Sequence, residues 1–267
     1  MSERPVTVII LAAQRAGVVN PLAARAGVSH KCLAPICGRP LIEWVLDTVA
    51  SRPNLAAIRI SIEPEAQREV GALLAAYADC GVPINFVDSH TGIVDSVTAA
   101  AGGDEGPFII TTADNVLLGA EGFEQVRATI ARVDGTLALA READVRAAHP
   151  EGQRNFYQFR DGGYANCNIY GLANRRAFAA AEAFREGGQF QKNRDRMIRA
   201  FGLFNIVLMG LRLVSAPNAI RRVGRRFGIT MEATLFADGG LAIDVDNERT
   251  YAVCEALLPA RKQVPTG

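Results

Sequence analysis

Short apolar runs alternate with stretches of helical periodicity along the first half of the chain. The runs that predict buried strands are Val6–Leu11, Ala57–Ile62, Ile84–Val87, Phe108–Thr112 and Thr136–Ala140. Between them, apolar residues at helical spacing predict helices at Pro40–Val49, Glu65–Tyr77 and Gly122–Val133, and a helix that includes Ser96–Ala101. This alternation favours βαβ units, and therefore an α/β fold with a mostly parallel sheet and helices on both faces.

The second half of the chain departs from this alternation. It predicts strands at Phe156–Phe159, Asn166–Tyr170, Ile229–Leu235 and Leu241–Ile243, and helices at Arg175–Arg185 and Glu248–Leu258. Between residues 192 and 226, nine basic residues accompany a single acid, Asp195. We interpret residues 187–228 as a basic, partly apolar helical insertion in a single domain that spans residues 1–267.

Composition narrows the class of protein. Hydrophobic residues make up 49% of the chain and charged residues 21%, which is typical of a globular domain. The net charge of +1 gives no general attraction to nucleic acid, so we expect no nucleic-acid partner. Five scattered cysteines without a C-x-x-C pair argue against structural zinc. The N-terminus lacks the pattern of a secretory signal, so a cytoplasmic protein is expected.

The segment after the first strand carries the most distinctive chemistry. In parallel α/β sheets, ligands bind at the carboxyl ends of the strands. Residues 11–40 form a long segment with Arg15, Gly17 and Lys31, and backbone N–H groups together with a cation are suited to phosphate. The glycine spacing matches neither the phosphate loop of P-loop NTPases nor the dinucleotide fingerprint.

This segment resembles a signature of nucleotidyltransferases with a GT-A-like fold, L-A-A-G-x-G-x-R followed by K-x-L-x-x-x-x-G-x-P-L-(I/L). The matching residues are Leu11-Ala12-Ala13, then Lys31-x-Leu33 and Gly38-x-Pro40-Leu41-Ile42. Three later stretches resemble further family motifs in the same order: Gly92–Val97, Thr111–Asp114 and Ile243–Glu248. The chain is therefore similar to MobA-like and cytidylyltransferase-type NTP transferases, which implies a Rossmann-like, GT-A-type sheet.

The first loop departs from the family pattern at three positions. Gln14 replaces the first glycine, Ala16 the second, and Val18 stands where the family has arginine. Either the nucleotide loop is rebuilt with Arg15 and Lys31 as its cations, or activity has been lost. Because Lys31 and both acidic motifs are retained, we favour the rebuilt loop.

The resemblance also implies roles for individual residues. Lys31 and Arg15 would be catalytic cations at the phosphates, and Asp114 and Asp244 would bind Mg²⁺, which prefers carboxylate oxygens. Asp246 competes with Asp244 for the second carboxylate role, but its place just before a helix favours a helix cap. The implied nucleotide-binding residues are Leu11, Ala12, Ala13, Gln14, Gly17, Gly92 and Ser96. The implied acceptor-binding residues are Asn166, Asn168 and Lys192.

The predicted reaction is magnesium-dependent transfer of a nucleoside monophosphate from an NTP to a phosphorylated acceptor, with release of pyrophosphate. The stretch Gly92–Val97 favours CTP, with GTP second, and the acceptor is a polyol, sugar or lipid phosphate. Two alternatives stay open: a GT-A-fold glycosyltransferase that uses a nucleotide sugar, and a non-catalytic nucleotide-binding protein. Against the first, Asp114-Asn115-Val116 lacks the Asp-x-Asp that such glycosyltransferases usually carry.

Apolar and basic residues interleave in residues 203–227. Ile220, Val223 and Phe227 would share one helical face flanked by arginines, a pattern typical of an interfacial helix on an anionic membrane. The alternative is a lid that packs on the domain. The sequence thus leaves open a peripheral contact with the cytoplasmic face of a membrane, and also a homodimer formed through apolar helix faces.

Overall fold

The computed structural model describes residues 4–14, 20–181 and 212–261. Within these residues, eight strands form one sheet and two short strands, β2 and β3, form a separate hairpin. The strands are β1 (Val6–Leu11), β2 (Pro35–Ile36), β3 (Arg39–Pro40), β4 (Leu55–Ile62), β5 (Ile84–Asp88), β6 (Phe108–Thr112), β7 (Gly135–Arg141), β8 (Tyr157–Phe159), β9 (Gly162–Leu172) and β10 (Met231–Phe236).

Helices connect most of these strands. They are α1 (Pro21–Ala26), α2 (Leu41–Ala50), α3 (Pro64–Leu74), α4 (Ile93–Ala101), α5 (Ala120–Ile130), α6 (Glu142–Ala148), α7 (Phe178–Ala181), α8 (Ala216–Arg226) and α9 (Glu248–Arg261). Short 3₁₀ helices lie at Lys31–Leu33, Ala75–Tyr77, Arg175–Ala177 and Gly239–Ala242.

The sheet is mostly parallel, as the alternating pattern predicts. Its order is β10-β7-β9-β6-β1-β4-β5, and β8 pairs with β9. Strand β1 runs parallel to both β4 and β6, whereas β9 lies antiparallel between β6 and β7. The carboxyl ends of β6, β1, β4 and β5 therefore meet at one edge of the sheet, where ligand binding is expected.

Each face of the sheet carries its own hydrophobic core. Along β1, Val8 and Ile10 belong to one cluster, which contains buried residues of α2, α3, α5 and α9. Ile9 belongs to the other cluster, with buried residues of α4 and α8. Alternate residues of the strand are thus buried on opposite faces, which is why the strand reads as a continuous apolar run.

The structure departs from the predicted elements in a few places. Leu241–Ile243 was expected to be a strand, but most of it lies in the 3₁₀ helix Gly239–Ala242, so that prediction is wrong. The Asp238 side chain accepts a hydrogen bond of 2.9 Å from the Gly240 N–H and so caps this helix. An apolar run is equally compatible with a buried strand or a buried turn of helix. The helices α1 and α6 were not predicted.

Only part of the predicted helical insertion is described. Residues 182–211 lie outside the described part of the chain, together with the end of the helix predicted at Arg175–Arg185. Helix α8 packs its apolar face, with Ile220 and Val223 buried, against the second cluster. The part of the face that carries Ile220 and Val223 is therefore covered by the protein.

The arginines of α8 lie on the other side of the helix. Arg221, Arg225 and Arg226 are exposed. Among the helices in the described parts of the chain, none combines the length and the apolarity that crossing a membrane requires.

Gly239 lies where a side chain has no room. A Cβ atom added there would overlap the backbone of Asp144 and Val145 in α6. We expect Gly239→Ala to lower the free energy of unfolding by about 1–3 kcal/mol, measured by denaturant titration. The control is Gly119→Ala, because an added Cβ at Gly119 meets nothing within 4 Å. An equal loss of stability in both variants would contradict this account.

Candidate active site

Two of the predicted site residues meet at the carboxyl ends of β1 and β6. Asp114 follows β6, and the preceding residue continues the strand pairing through a 2.9 Å hydrogen bond from the Ala113 N–H to the Leu11 carbonyl. Lys31 begins the 3₁₀ helix that follows the first loop. Its ammonium group forms an ion pair and a hydrogen bond with the Asp114 carboxylate. The structure therefore brings the predicted cation to the predicted metal ligand.

A late segment of the chain adds two more carboxylates. Asp244 and Asp246 lie between the Gly239–Ala242 helix and α9. The Val245 N–H donates a 3.1 Å hydrogen bond to the Asp114 carbonyl, which fixes this segment against the end of β6. As a result, one carboxylate oxygen each from Asp114, Asp244 and Asp246 lie within 4.8 Å of one another. Lys31 Nζ is also 3.6 Å from Asp246 Oδ1.

Asp246 does not have the capping role that its position favoured. The Asn247 side-chain oxygen accepts hydrogen bonds from the backbone N–H groups of Arg249 and Thr250, at 3.1 and 3.2 Å, so Asn247 caps α9. The Asp246 side chain is instead 59% exposed and faces Lys31. Asp244 and Asp246 are thus not alternatives, because both lie beside Asp114.

The carboxylates strongly influence one another. Burial, together with the neighbouring charges of Asp114 and Asp246, raises the pKa of Asp244 well above its usual range. For Lys31, burial alone would lower the pKa, but the Asp114 carboxylate and, to a lesser extent, Asp246 and Asp244 raise it overall. Lys31 therefore stays protonated at neutral pH and supplies positive charge to an otherwise acidic cluster.

The acidic cluster has the properties of a site for a hard divalent cation. Its donors are carboxylate oxygens, which Mg²⁺ prefers. The Asp114 Oδ1 atom is buried and has no hydrogen-bond partner among the described residues, so it is available as a ligand. Burial and, after it, repulsion by Asp114 and Asp246 raise the pKa of Asp244, and a bound cation would relieve that repulsion. The residues present therefore fit a magnesium ion.

A family model described as the MobA-like NTP transferase domain matches residues 8–200 of the chain. The chain belongs to this family. It is therefore a nucleotidyltransferase, an enzyme that acts on a nucleoside triphosphate. The predicted resemblance and the predicted enzyme class are both confirmed, and the glycosyltransferase and non-catalytic alternatives are set aside.

Solved structures with the same fold include three transferases or synthases. The chain is 22% identical to a hypothetical transferase from Thermus thermophilus, with a TM-score of 0.71 over 93% of this chain and 100% of that one. The chain is 12% identical to a 4-diphosphocytidyl-2C-methyl-D-erythritol synthase from Anaerococcus prevotii, with a TM-score of 0.60 over 96% of this chain and 99% of that one. It is 15% identical to a CMP:2-keto-3-deoxy-manno-octonic acid synthetase complexed with CTP, with a TM-score of 0.57 over 97% of this chain and 100% of that one. No curated protein matches the chain in sequence.

In this MobA-like transferase, the first loop starts where the resemblance places it. Leu11, Ala12, Ala13 and Gln14 lie at the end of β1, whereas Arg15 and Gly17 lie outside the described residues. Gln14 links the two ends of the loop. Its N–H donates to Glu63 Oε1 at 2.9 Å, and its side-chain amide donates to the Ser29 carbonyl at 3.0 Å. The glutamine that replaces the family glycine is thus a structural link just before Lys31.

Two predicted nucleotide-binding residues of the transferase lie after β5. Gly92 is the N-terminal flanking residue of α4. The Ser96 hydroxyl accepts a 2.8 Å hydrogen bond from the His90 N–H and donates one of 3.1 Å to the His90 carbonyl. The Ser96 side chain therefore holds the loop that precedes α4, at the same sheet edge as Lys31.

The predicted acceptor side of the transferase lies along β9. Asn168 donates a 2.8 Å hydrogen bond to Asp244 Oδ2, and Asn166 donates one of 2.7 Å to Asn168 Oδ1. Asn166 also donates to the Tyr170 hydroxyl at 2.5 Å. Both asparagines therefore reach the acidic cluster, directly or through one another. Lys192 lies outside the described residues.

Sequence reasoning missed two polar groups near the site. Glu63 follows β4 and lies 3.3 Å from the buried side chain of His30, measured between carboxylate and imidazole atoms. Asn115 follows Asp114 and is almost fully buried. No sequence motif links Glu63 to His30, because the two residues belong to separate loops. Asn115 was noticed only as a departure from Asp-x-Asp.

Proposed function

We propose that this enzyme transfers cytidine monophosphate from CTP to a phosphorylated alcohol, with release of pyrophosphate. An oxygen of the acceptor phosphate forms the new bond to the α-phosphorus, and the bond from that phosphorus to the bridging oxygen of the β-phosphate breaks. Pyrophosphate carries away the electron pair of that bond. The convergence of Lys31 with Asp114, Asp244 and Asp246 is the observation that carries the proposal.

The three carboxylates would hold a magnesium ion. When bound, the ion would offset negative charge on the phosphates of the nucleotide. Asp114 and Asp244 supply buried oxygens, and Asp246 supplies one at the solvent-facing side of the cluster. This division fits a site that must both fix a cation and leave room for a substrate to reach it.

Lys31 would provide the second positive charge. Its side chain is 22% exposed, so the ammonium group is partly shielded and can still be reached by a ligand. Electrostatic stabilisation by a fixed cation is strong where water is partly excluded. No side chain is required as a general base, because an acceptor phosphate dianion is already nucleophilic. Positioning and charge neutralisation then supply most of the catalysis.

The choice of CTP is supported by two observations. Residues Gly92–Val97 resemble the base-side loop of cytidylyltransferases, and this loop lies at the ligand-binding edge of the sheet. Two of the structural neighbours are named for cytidine nucleotides, one as a diphosphocytidyl synthase and one in complex with CTP. GTP is the second candidate. For the acceptor, polyol, sugar and lipid phosphates all carry the required nucleophile.

Nucleotide binding can be tested without knowing the acceptor. We expect CTP with Mg²⁺ to raise the thermal unfolding midpoint of the full chain more than ATP, GTP or UTP does, because ligand that binds the native state stabilises it. We then expect CTP-dependent pyrophosphate release with one of the three acceptor classes. Stabilisation by GTP alone would overturn the base assignment, and no stabilisation by any of the four would overturn the proposed function.

A further inference from the structure

Asn168 has an unusual backbone conformation in the middle of a strand. Its φ is +48°, in the left-handed region that few residues other than glycine adopt, although asparagine tolerates it. The pairing between β7 and β9 shifts register between Leu137 and Leu139, opposite this part of β9. The strand is therefore bulged at Asn168, and bulges of this kind re-aim a side chain.

The neighbouring strand β6 and the segment that follows it hold this bulge in place. The Thr111 hydroxyl donates a 3.0 Å hydrogen bond to the Asn168 carbonyl. The Asn115 side-chain amide donates to the Cys167 carbonyl at 3.1 Å and to the Thr111 hydroxyl at 3.2 Å. Thr111 and Asn115 are both buried and lie on either side of Asp114. The segment that carries one carboxylate therefore fixes the backbone of the bulge.

The bulge directs the Asn168 amide to a second carboxylate. Asn166 donates to Asn168 Oδ1 at 2.7 Å, so the oxygen of the Asn168 amide faces Asn166. The Asn168 NH₂ group must then point the other way, where it donates to Asp244 Oδ2 at 2.8 Å. Because the Asn168 amide is neutral, it fixes the orientation of the Asp244 carboxylate without neutralising its charge, which stays available to a metal ion.

We propose that Asn168 is a positioning residue that orients Asp244 for metal binding, with Thr111 and Asn115 holding the bulge that aims it. This role differs from the acceptor contact that the sequence implied for Asn168. Hydrogen bonds connect β6 to β9 and β9 to Asp244. One network therefore positions the two buried carboxylates, those of Asp114 and Asp244, relative to each other. The inference rests on the proposed metal site.

The test measures binding of Mn²⁺ alone to the full chain, from the electron paramagnetic resonance signal of the free ion. Asn168→Gly accepts the positive φ but removes the amide. We expect it to weaken Mn²⁺ binding about 10-fold or more, the range typical for loss of a group that orients a metal ligand. Thr111→Val keeps the shape of the side chain without its hydroxyl, and a smaller weakening is expected.

Asn54→Gly is the matched control. Asn54 also has a positive φ, of 58°, but follows α2 at the far end of β4 from the site. We expect its Mn²⁺ affinity to equal that of the unmodified protein. Equal affinity in Asn168→Gly would overturn the positioning role and return Asn168 to the acceptor side. Failure of the unmodified protein to bind Mn²⁺ would instead contradict the metal site on which the proposed function depends.

Discussion

Asp114→Asn is expected to lower the rate of pyrophosphate release about 1,000-fold. The variant keeps the size of the side chain but removes the charge of a buried carboxylate that faces both Lys31 and the other two acids. Loss of about 4 kcal/mol of transition-state stabilisation, the scale at which a bound metal contributes, corresponds to this factor. The measurement is steady-state pyrophosphate release with saturating nucleotide, acceptor and Mg²⁺.

Asp79→Asn provides the control for charge removal. Asp79 is exposed in the turn before β5 and contributes nothing to the acidic cluster. Its turnover should match that of the unmodified protein, and both variants should keep the same circular dichroism spectrum. If Asp114→Asn retained more than a tenth of the original rate, the acidic cluster would not be the catalytic centre.

Lys31→Met is expected to change two quantities in opposite directions. Turnover should fall about 100- to 1,000-fold, because a fixed cation near the phosphates is lost. Binding of Mn²⁺ to the nucleotide-free protein should tighten, because the Lys31 ammonium contacts Asp114 and lies 3.6 Å from Asp246 in place of a cation. The two measurements are pyrophosphate release and paramagnetic titration of the free ion.

The opposite signs separate this role of Lys31 from simple loss of folding. A misfolded variant would lose both turnover and metal affinity. Arg68→Met removes an exposed cation of α3 and should leave both quantities unchanged. Weaker Mn²⁺ binding by Lys31→Met would show that the lysine supports the metal site and does not compete for it.

Much of the sheet and the centre of the site follow from the sequence. The strands β1 and β6 begin and end where the apolar runs predict. A strand that is buried on both faces is apolar along most of its length, so the ends of the apolar run mark the ends of the strand. Lys31 and Asp114 follow neighbouring parallel strands, so their proximity follows from sheet geometry once both strands are recognised. The motif around Asp244 marks the third member of the site.

The finer arrangement depends on contacts between distant segments. The bulge at Asn168 has no local signature, since it depends on hydrogen bonds to β9 from Thr111 in β6 and from Asn115 in the segment after β6. Helix α9 is capped by Asn247 and not by Asp246, because the helix begins one residue later than a cap at Asp246 would require. Such choices leave the apolar pattern unchanged, so periodicity alone does not predict them.

The order of the carboxylates along the chain has a consequence for biosynthesis. Asp114 is made first, and its partners Asp244 and Asp246 come much later in the sequence, beyond residue 200, where the family match ends. Until that part docks through the Val245 N–H, the only acid of the cluster available to Lys31 is Asp114. During synthesis, Lys31 and Asp114 would thus be made before the other two carboxylates, and nucleotide chemistry would begin only after the segment with Asp244 and Asp246 has docked.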